Sequence, residues 1–197
     1  MVGRVKRDAH LDDAGLSVAA DPAVRDECIR VAGRLRATGK KIFGLLPAGD
    51  DVAVPPIGVQ LGLALTEVSA ATVAFVDANL RWPAISALAA GDATGDDSAF
   101  ATRWLRGTLA LLTPPRAGAA GVGLPQLARL IQQSTELFAH ALVDLTGFRK
   151  IGEHLAAIEM CDGVVVVARC GRTREEALMR VRLELGDQLV GVLLTGA

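Results

Sequence analysis

Apolar residues in this chain alternate between short unbroken runs and longer stretches in which they recur every three or four positions. The runs are Lys41–Leu46, Thr72–Val76, Leu109–Leu112, Ala141–Asp144, Gly163–Ala168 and Val190–Leu194. Runs of this length predict strands buried on both faces. Between them lie helical patterns. Asp21-Pro22 gives an N-cap followed by proline, and Val24, Cys28, Val31 and Leu35 then recur at helical spacing until Gly39. Ile57–Leu65 predicts a second helix. Trp82-Pro83 opens a short one, and Pro125 begins another whose Leu127, Leu130, Ile131, Leu137 and Phe138 fall on one face. A helix is expected over 152–160. Thr173 and Glu176, spaced as a capping box, predict a last helix running to about Leu185.

Strands that alternate with helices in this way predict an α/β fold: a doubly wound, mostly parallel sheet with helices on both faces. The Gly/Asp-rich segment 91–98 and the Gly/Ala-rich segment 116–123 read as loops, the second of them flexible. Residues 1–20 are polar, with a small basic cluster (Arg4, Lys6, Arg7), and are expected to form a mobile arm. Residues 21–197 then make one domain, which suits a chain of 197 residues.

Composition narrows the function. A formal charge of −1 provides no global basic field, so nucleic acid is not an expected partner. Arg172, Arg174, Arg180 and Arg182 are interleaved with Glu175, Glu176 and Glu184, as on a mixed surface helix. Cys28, Cys161 and Cys170 lack CxxC spacing and form no ligand pattern with His10, His140 and His154; reduced thiols of a cytoplasmic protein, and no metal site, are expected. The apolar stretch Ile57–Val76 contains Gln60 and Glu67 and divides into a helix and a strand rather than crossing a membrane. The polar N-terminus does not read as a signal peptide. Trp82 and Trp104, with few aromatic neighbours in sequence, read as packing residues.

The candidate chemistry lies between the first strand and the second helix. Strand, loop, helix is the setting of a phosphate-binding P-loop, whose end would read Gly-Lys-Ser/Thr; here it reads Ala53-Val54-Pro55-Pro56. Val54 stands where a lysine would meet the phosphates, and Pro55 where a hydroxyl would hold magnesium. Both prolines delete backbone N–H donors from the helix end that should cradle an anion. After Gly49, Asp50 and Asp51 add negative charge to the loop. Proline is tolerated in a first helical turn, so the helix is expected to survive while the phosphate site does not.

Several segments resemble one family. Phe75-Val76-Asp77-Ala78-Asn79-Leu80-Arg81-Trp82-Pro83 resembles the Asp-x-Asp-x-Arg-x-Pro element of bacterial tyrosine kinases, cytosolic domains of the MinD/ParA class that work with polysaccharide chain-length regulators. Asp162–Arg169 with Gly171-Arg172-Thr173, and Gly191–Gly196, are similar to the family's late strands. Asp21-Pro22 and Glu27-x-x-Arg30 resemble the helix through which such domains pack into rings. The resemblance spans roughly residues 21–196. It implies a doubly wound parallel sheet, ATP-driven tyrosine autophosphorylation and ring formation around a membrane partner.

The departures are equally specific. Asn79 replaces the second acid of the Asp-x-Asp element, and Thr195 replaces an asparagine often found near the adenine. Arg34 is one place off the family's second ring arginine, which would fall at Gly33. Asp77 and Asp144 keep the family's magnesium-associated positions, either as a relic site or as strand-end carboxylates that cap helix N-termini. Glu27, Arg30 and Arg34 read either as self-assembly contacts or as an ordinary helix face. The chain contains no tyrosine, so it offers no acceptor for tyrosine autophosphorylation.

The function expected from these residues is a catalytically inactive pseudo-kinase or pseudo-ATPase that binds no cofactor. It would serve as a regulatory or scaffolding part in exopolysaccharide or capsule production. The implied partner is the cytosolic segment of a chain-length-regulator-type membrane protein, or an active homologue, with a homo-oligomer as a further option. That places the chain in the cytoplasm, at the inner face of the membrane where its partner holds it. The alternative is a divergent MinD/ParA-type ATPase that holds ATP and magnesium in a non-standard way, with Asp77, Asp144 and Arg81 still working.

Overall fold

The buried apolar runs of the sequence do form a central sheet. A computed structural model of the protein describes residues 22–78, 101–113 and 123–196. In chain order the elements are α1 (Pro22–Ala37), β1 (Ile42–Pro47), α2 (Val54–Ser69), β2 (Val73–Asp77), β3 (Ala101–Leu105) and β4 (Leu109–Thr113). They continue as α3 (Leu124–Leu137), β5 (His140–Asp144), α4 (Thr146–Ile151), α5 (His154–Ile158), β6 (Gly163–Arg169), α6 (Glu175–Leu185) and β7 (Leu189–Thr195). The arm 1–20, the Asp21 cap, Asn79, Arg81, the Trp82-Pro83 helix, the 91–98 loop and residues 116–122 lie outside the described residues.

The seven strands are ordered β3-β4-β2-β5-β1-β6-β7. All neighbouring pairs are parallel except β3 with β4. Two apolar layers sandwich the sheet. On one side Cys28, Ala32 and Leu35 of α1 and Val59, Leu61 and Leu65 of α2 meet Phe43, Phe75 and Val165. On the other, Leu127 and Leu130 of α3, Phe148 of α4, Ile158 of α5 and Val181 of α6 meet Val76, Val143 and Val166. This is the doubly wound arrangement that the strand–helix alternation predicts.

Small residues set the distance between α2 and the sheet. A Cβ on Gly58 would lie 2.2 Å from Cε2 of the fully buried Phe75, so the ring occupies the space that any side chain at 58 would need. The Arg25 guanidinium bonds both Glu67 carboxylate oxygens, at 2.7 and 2.8 Å, and ties α1 to α2.

Four expectations are corrected. Residues 152–160 are not one helix: Gly152, at φ 78°, ends α4, its N–H bonding back to the Arg149 carbonyl, and α5 begins only at His154. The Thr173/Glu176 capping box does not form. The Thr173 hydroxyl accepts the Arg169 N–H instead, and α6 starts at Glu175 without a side-chain cap. Strand β3 has no counterpart in the sequence-based elements; it returns on β4 through a turn in which Arg106 and Gly107 both take positive φ. Leu137 does not join its helix's apolar face but is 70% exposed, because α3 ends there and Phe138 turns inward toward Trp104.

Candidate functional site

The loop Ala48–Ala53 runs from the end of β1 to the start of α2, at the C-terminal edge of the sheet. It is held below by Ala48, whose N–H donates to the Val167 carbonyl at 2.8 Å, and closed on itself by Val52 N–H donating to Gly49 at 3.3 Å. Helix α2 begins at Val54, three residues before the expected Ile57, so Pro55 and Pro56 occupy its first turn. Their fixed φ favours that turn, and their missing N–H groups are the donors that an anion would need. Ala53 supplies no side-chain cap.

Val54 is fully buried, within the apolar layer shared by α1 and α2. Val52 is buried in the same layer. The Val54 side chain therefore points into the core, where its burial stabilises the fold by an amount on the order of 1.5–3 kcal/mol. Asp50 and Asp51 are exposed, and Gly49 lies against the Asp51 carboxylate.

Two carboxylates end strands of the same sheet. Asp77 ends β2 and Asp144 ends β5; they are register partners across the parallel ladder, and both are fully buried. Asp144 Oδ1 accepts the Thr146 N–H at 2.9 Å and the Thr146 hydroxyl at 2.5 Å. Its Oδ2 is buried with no hydrogen-bond partner. Burial pushes the Asp144 carboxyl up to about 7; the two Thr146 bonds oppose the rise, the neighbouring Asp77 adds to it and Lys150 opposes it. Thr113, at the end of β4 on the far side of β2, is also fully buried, with its hydroxyl unpartnered. Asp144 does meet an adjacent helix start, through Thr146 of α4.

Other candidates lie apart from this edge. Glu27 and Arg30 form a two-bonded i,i+3 pair on the exposed face of α1, one bond being Arg30 Nε to Glu27 Oε2 at 2.8 Å. That hydrogen bond, with the Arg30 and Arg34 charges, holds the Glu27 carboxyl below its ordinary range. Arg34 is exposed on the same helix. The Thr195 hydroxyl donates to the Ala168 carbonyl at 3.2 Å, a bond that braces β7 to β6. Cys28 and Cys161 are buried thiols pushed up to about 11 and about 12 by desolvation, and Cys170 is exposed. Among the described residues, no helix is long and apolar enough to cross a membrane. Trp104 packs on Phe138 with ring centroids 5.9 Å apart.

One residue at the loop carried no sequence signal. Arg149 of α4 donates from Nη2 to the Ala48 carbonyl at 3.2 Å, while its Nη1 is buried without a partner. It sits one element beyond Asp144, and only the tertiary fold brings it to the loop.

A parallel sheet of this order, with a loop leading from β1 into α2 and carboxylates ending the neighbouring strands, defines a P-loop NTPase-like α/β domain. Solved structures of bacterial tyrosine kinase domains share that fold. The kinase domain of VpsO matches with a TM-score of 0.68 at 18% identity, covering 89% of this chain and 95% of that one. The kinase domain of the Escherichia coli tyrosine kinase ETK matches with a TM-score of 0.67 at 18% identity, over 92% of this chain and 78% of that one. A ParA-family ATPase from Chlorobium tepidum matches less closely, with a TM-score of 0.53 at 14% identity, over 79% and 72%. No family model and no curated protein matches the chain. At these identities the likeness establishes the fold, in agreement with the segments around Asp77 and Asp162.

Proposed function

We propose that the chain is a pseudo-kinase or pseudo-ATPase: a P-loop-type domain that has given up nucleotide chemistry and acts by binding other proteins. The observation that carries this reading is the pairing of a core-buried Val54 with Pro55 and Pro56 in the first turn of α2. A phosphate loop needs a cation, a magnesium-binding hydroxyl and free backbone donors at that turn. All three are replaced by groups that stabilise the fold instead. None of the 197 residues is a tyrosine that could accept a phosphoryl group.

The resemblance to kinases that serve polysaccharide chain-length regulators supports a regulatory or scaffolding role in exopolysaccharide or capsule production. The partner would be the cytosolic segment of such a membrane regulator, or an active homologue, engaged through the Glu27 and Arg30 face of α1. Such a partner would hold the chain in the cytoplasm against the membrane.

A second reading is favoured by one observation. Asp77 and Asp144 persist side by side, and Asp144 Oδ2 has no partner, as in a site that expects another group. In that reading the chain is a divergent MinD/ParA-type ATPase that binds nucleotide in a non-standard way. Measuring nucleotide hydrolysis by the chain and by its Asp77→Ala and Asp144→Ala variants separates the two. No hydrolysis in any of the three fits the pseudo-enzyme; hydrolysis that both substitutions abolish favours the ATPase.

A further inference from the structure

We infer that the open edge of β7 is a two-fold interface at which a second copy of this chain continues the sheet. Among the described residues β7 ends the sheet, with β6 on one side and no strand on the other. Edge strands are normally guarded by lysine, proline or a charge turned inward. Strand β7 reads Leu-Val-Gly-Val-Leu-Leu-Thr and carries none of these. Its apolar side chains are not all covered either: Val192 is 47% exposed and Leu194 60%.

The backbone of β7 is aimed at such a neighbour. After a shift at Val164/Val165, the β6–β7 register runs regularly from Gly191 to Thr195. The Thr195 carbonyl faces β6, where it accepts the Cys170 N–H at 2.9 Å. Hydrogen-bonding groups alternate sides along a strand, so Leu193 and Gly191 also face β6, while Val192 and Leu194 face the open edge. An antiparallel pair centred on Leu193 therefore sets Val192 of one copy opposite Leu194 of the other, twice, as hydrogen-bonded pairs. Their side chains fall on the face that α6 covers, since they align with Val166 and Ala168 of that layer.

Helix α6 supplies the reason for choosing a second copy over any other occupant. Its His154–Glu184 contact, 3.7 Å, identifies the flank that faces α5. Arg182 lies two residues from Glu184, about 200° around the helix, and Glu175 lies seven residues from Arg182, which returns it to the same flank. That flank therefore faces the open edge, with an acid in the first turn and a base in the last. A two-fold axis through β7 brings the two α6 helices together antiparallel. Glu175 of each then meets Arg182 of the other, an arrangement in which the surface is complementary to itself. Strand pairing plus two flanking helices is a route to the roughly 1,200 Å² that a stable interface buries.

This interface is independent of the proposed loss of nucleotide chemistry and distinct from the α1 face. Its test is the solution mass of the purified 197-residue chain by light scattering across the micromolar range. The expected value is twice the 20.5 kDa chain mass. Leu194→Lys should give monomer with an unchanged far-UV spectrum. Arg182→Glu should weaken the dimer about tenfold, and Glu175→Arg with Arg182→Glu should restore it. Glu27→Ala with Arg30→Ala should leave it intact. A chain that stays monomeric throughout, or a dimer indifferent to both the Leu194 and the Arg182 substitutions, overturns the inference. Should Leu194→Lys fail to fold, the charge swap alone decides.

Discussion

Asp77 and Asp144 are register partners at the ends of adjacent parallel strands, both fully buried, and Asp144 keeps one carboxylate oxygen without a partner. Burial disfavours the charged form of the Asp144 carboxyl, and the neighbouring Asp77 adds to that effect. The consequence is a pH-dependent stability. The Asp144 carboxyl is raised from 3.8 to about 7 in the folded chain, so the native state holds a proton that the unfolded state releases. Its contribution is complete below about pH 4 and is lost as pH rises to 7. Asp144→Asn removes that loss. Thermal unfolding at a series of pH values should show the substitution raising stability at pH 8 far more than at pH 4. Equal effects at both values would mean that the native carboxyl is not protonated.

The buried Val54 gives a second expectation. Val54→Lys places a charge in an apolar layer with no partner at hand, and should cost about 3–5 kcal/mol in denaturant unfolding. A smaller loss, under about 1 kcal/mol, would show that the side chain can swing toward the loop as a phosphate lysine does.

Close packing of α2 on β2 predicts a third result. Gly58→Ala adds a methyl where the Phe75 ring already lies, and should destabilise by about 1–3 kcal/mol despite alanine's better helix propensity. Gly33→Ala, with nothing near its Cβ in the same fold, is the control and should be neutral or slightly stabilising.

Glu27 and Arg30 pair with each other on an exposed helix face. Replacing both by alanine should leave the thermal midpoint nearly unchanged, because exposed i,i+3 pairs contribute little. Any partner binding that the substitution removes is then an interface effect; a large fall in midpoint would contradict that separation.

The sequence made the buried strands legible because each is a continuous apolar run, and the order of segments carried the fold. The loop's departure from a phosphate-binding sequence was equally legible, since Val54, Pro55 and Pro56 are adjacent in the chain. What it hid is tertiary. The approach of Arg149 to Ala48 joins residues 101 positions apart, and no local pattern marks it. Thr173 fits a capping box by spacing, yet its hydroxyl goes to Arg169, because the turn after β6 brings that N–H closer. Strand β3 escaped because an arginine and a tryptophan interrupt its apolar pattern at the sheet edge, where one face need not be covered.

Calorimetric titration of the chain with magnesium and ATP, and separately ADP, decides whether the loop and the first turn of α2 still hold a nucleotide. No binding heat and no thermal stabilisation are expected at millimolar nucleotide. Micromolar binding would contradict it, and would mean that groups other than the residues of the Ala48–Ala53 loop and the first turn of α2 hold the phosphates.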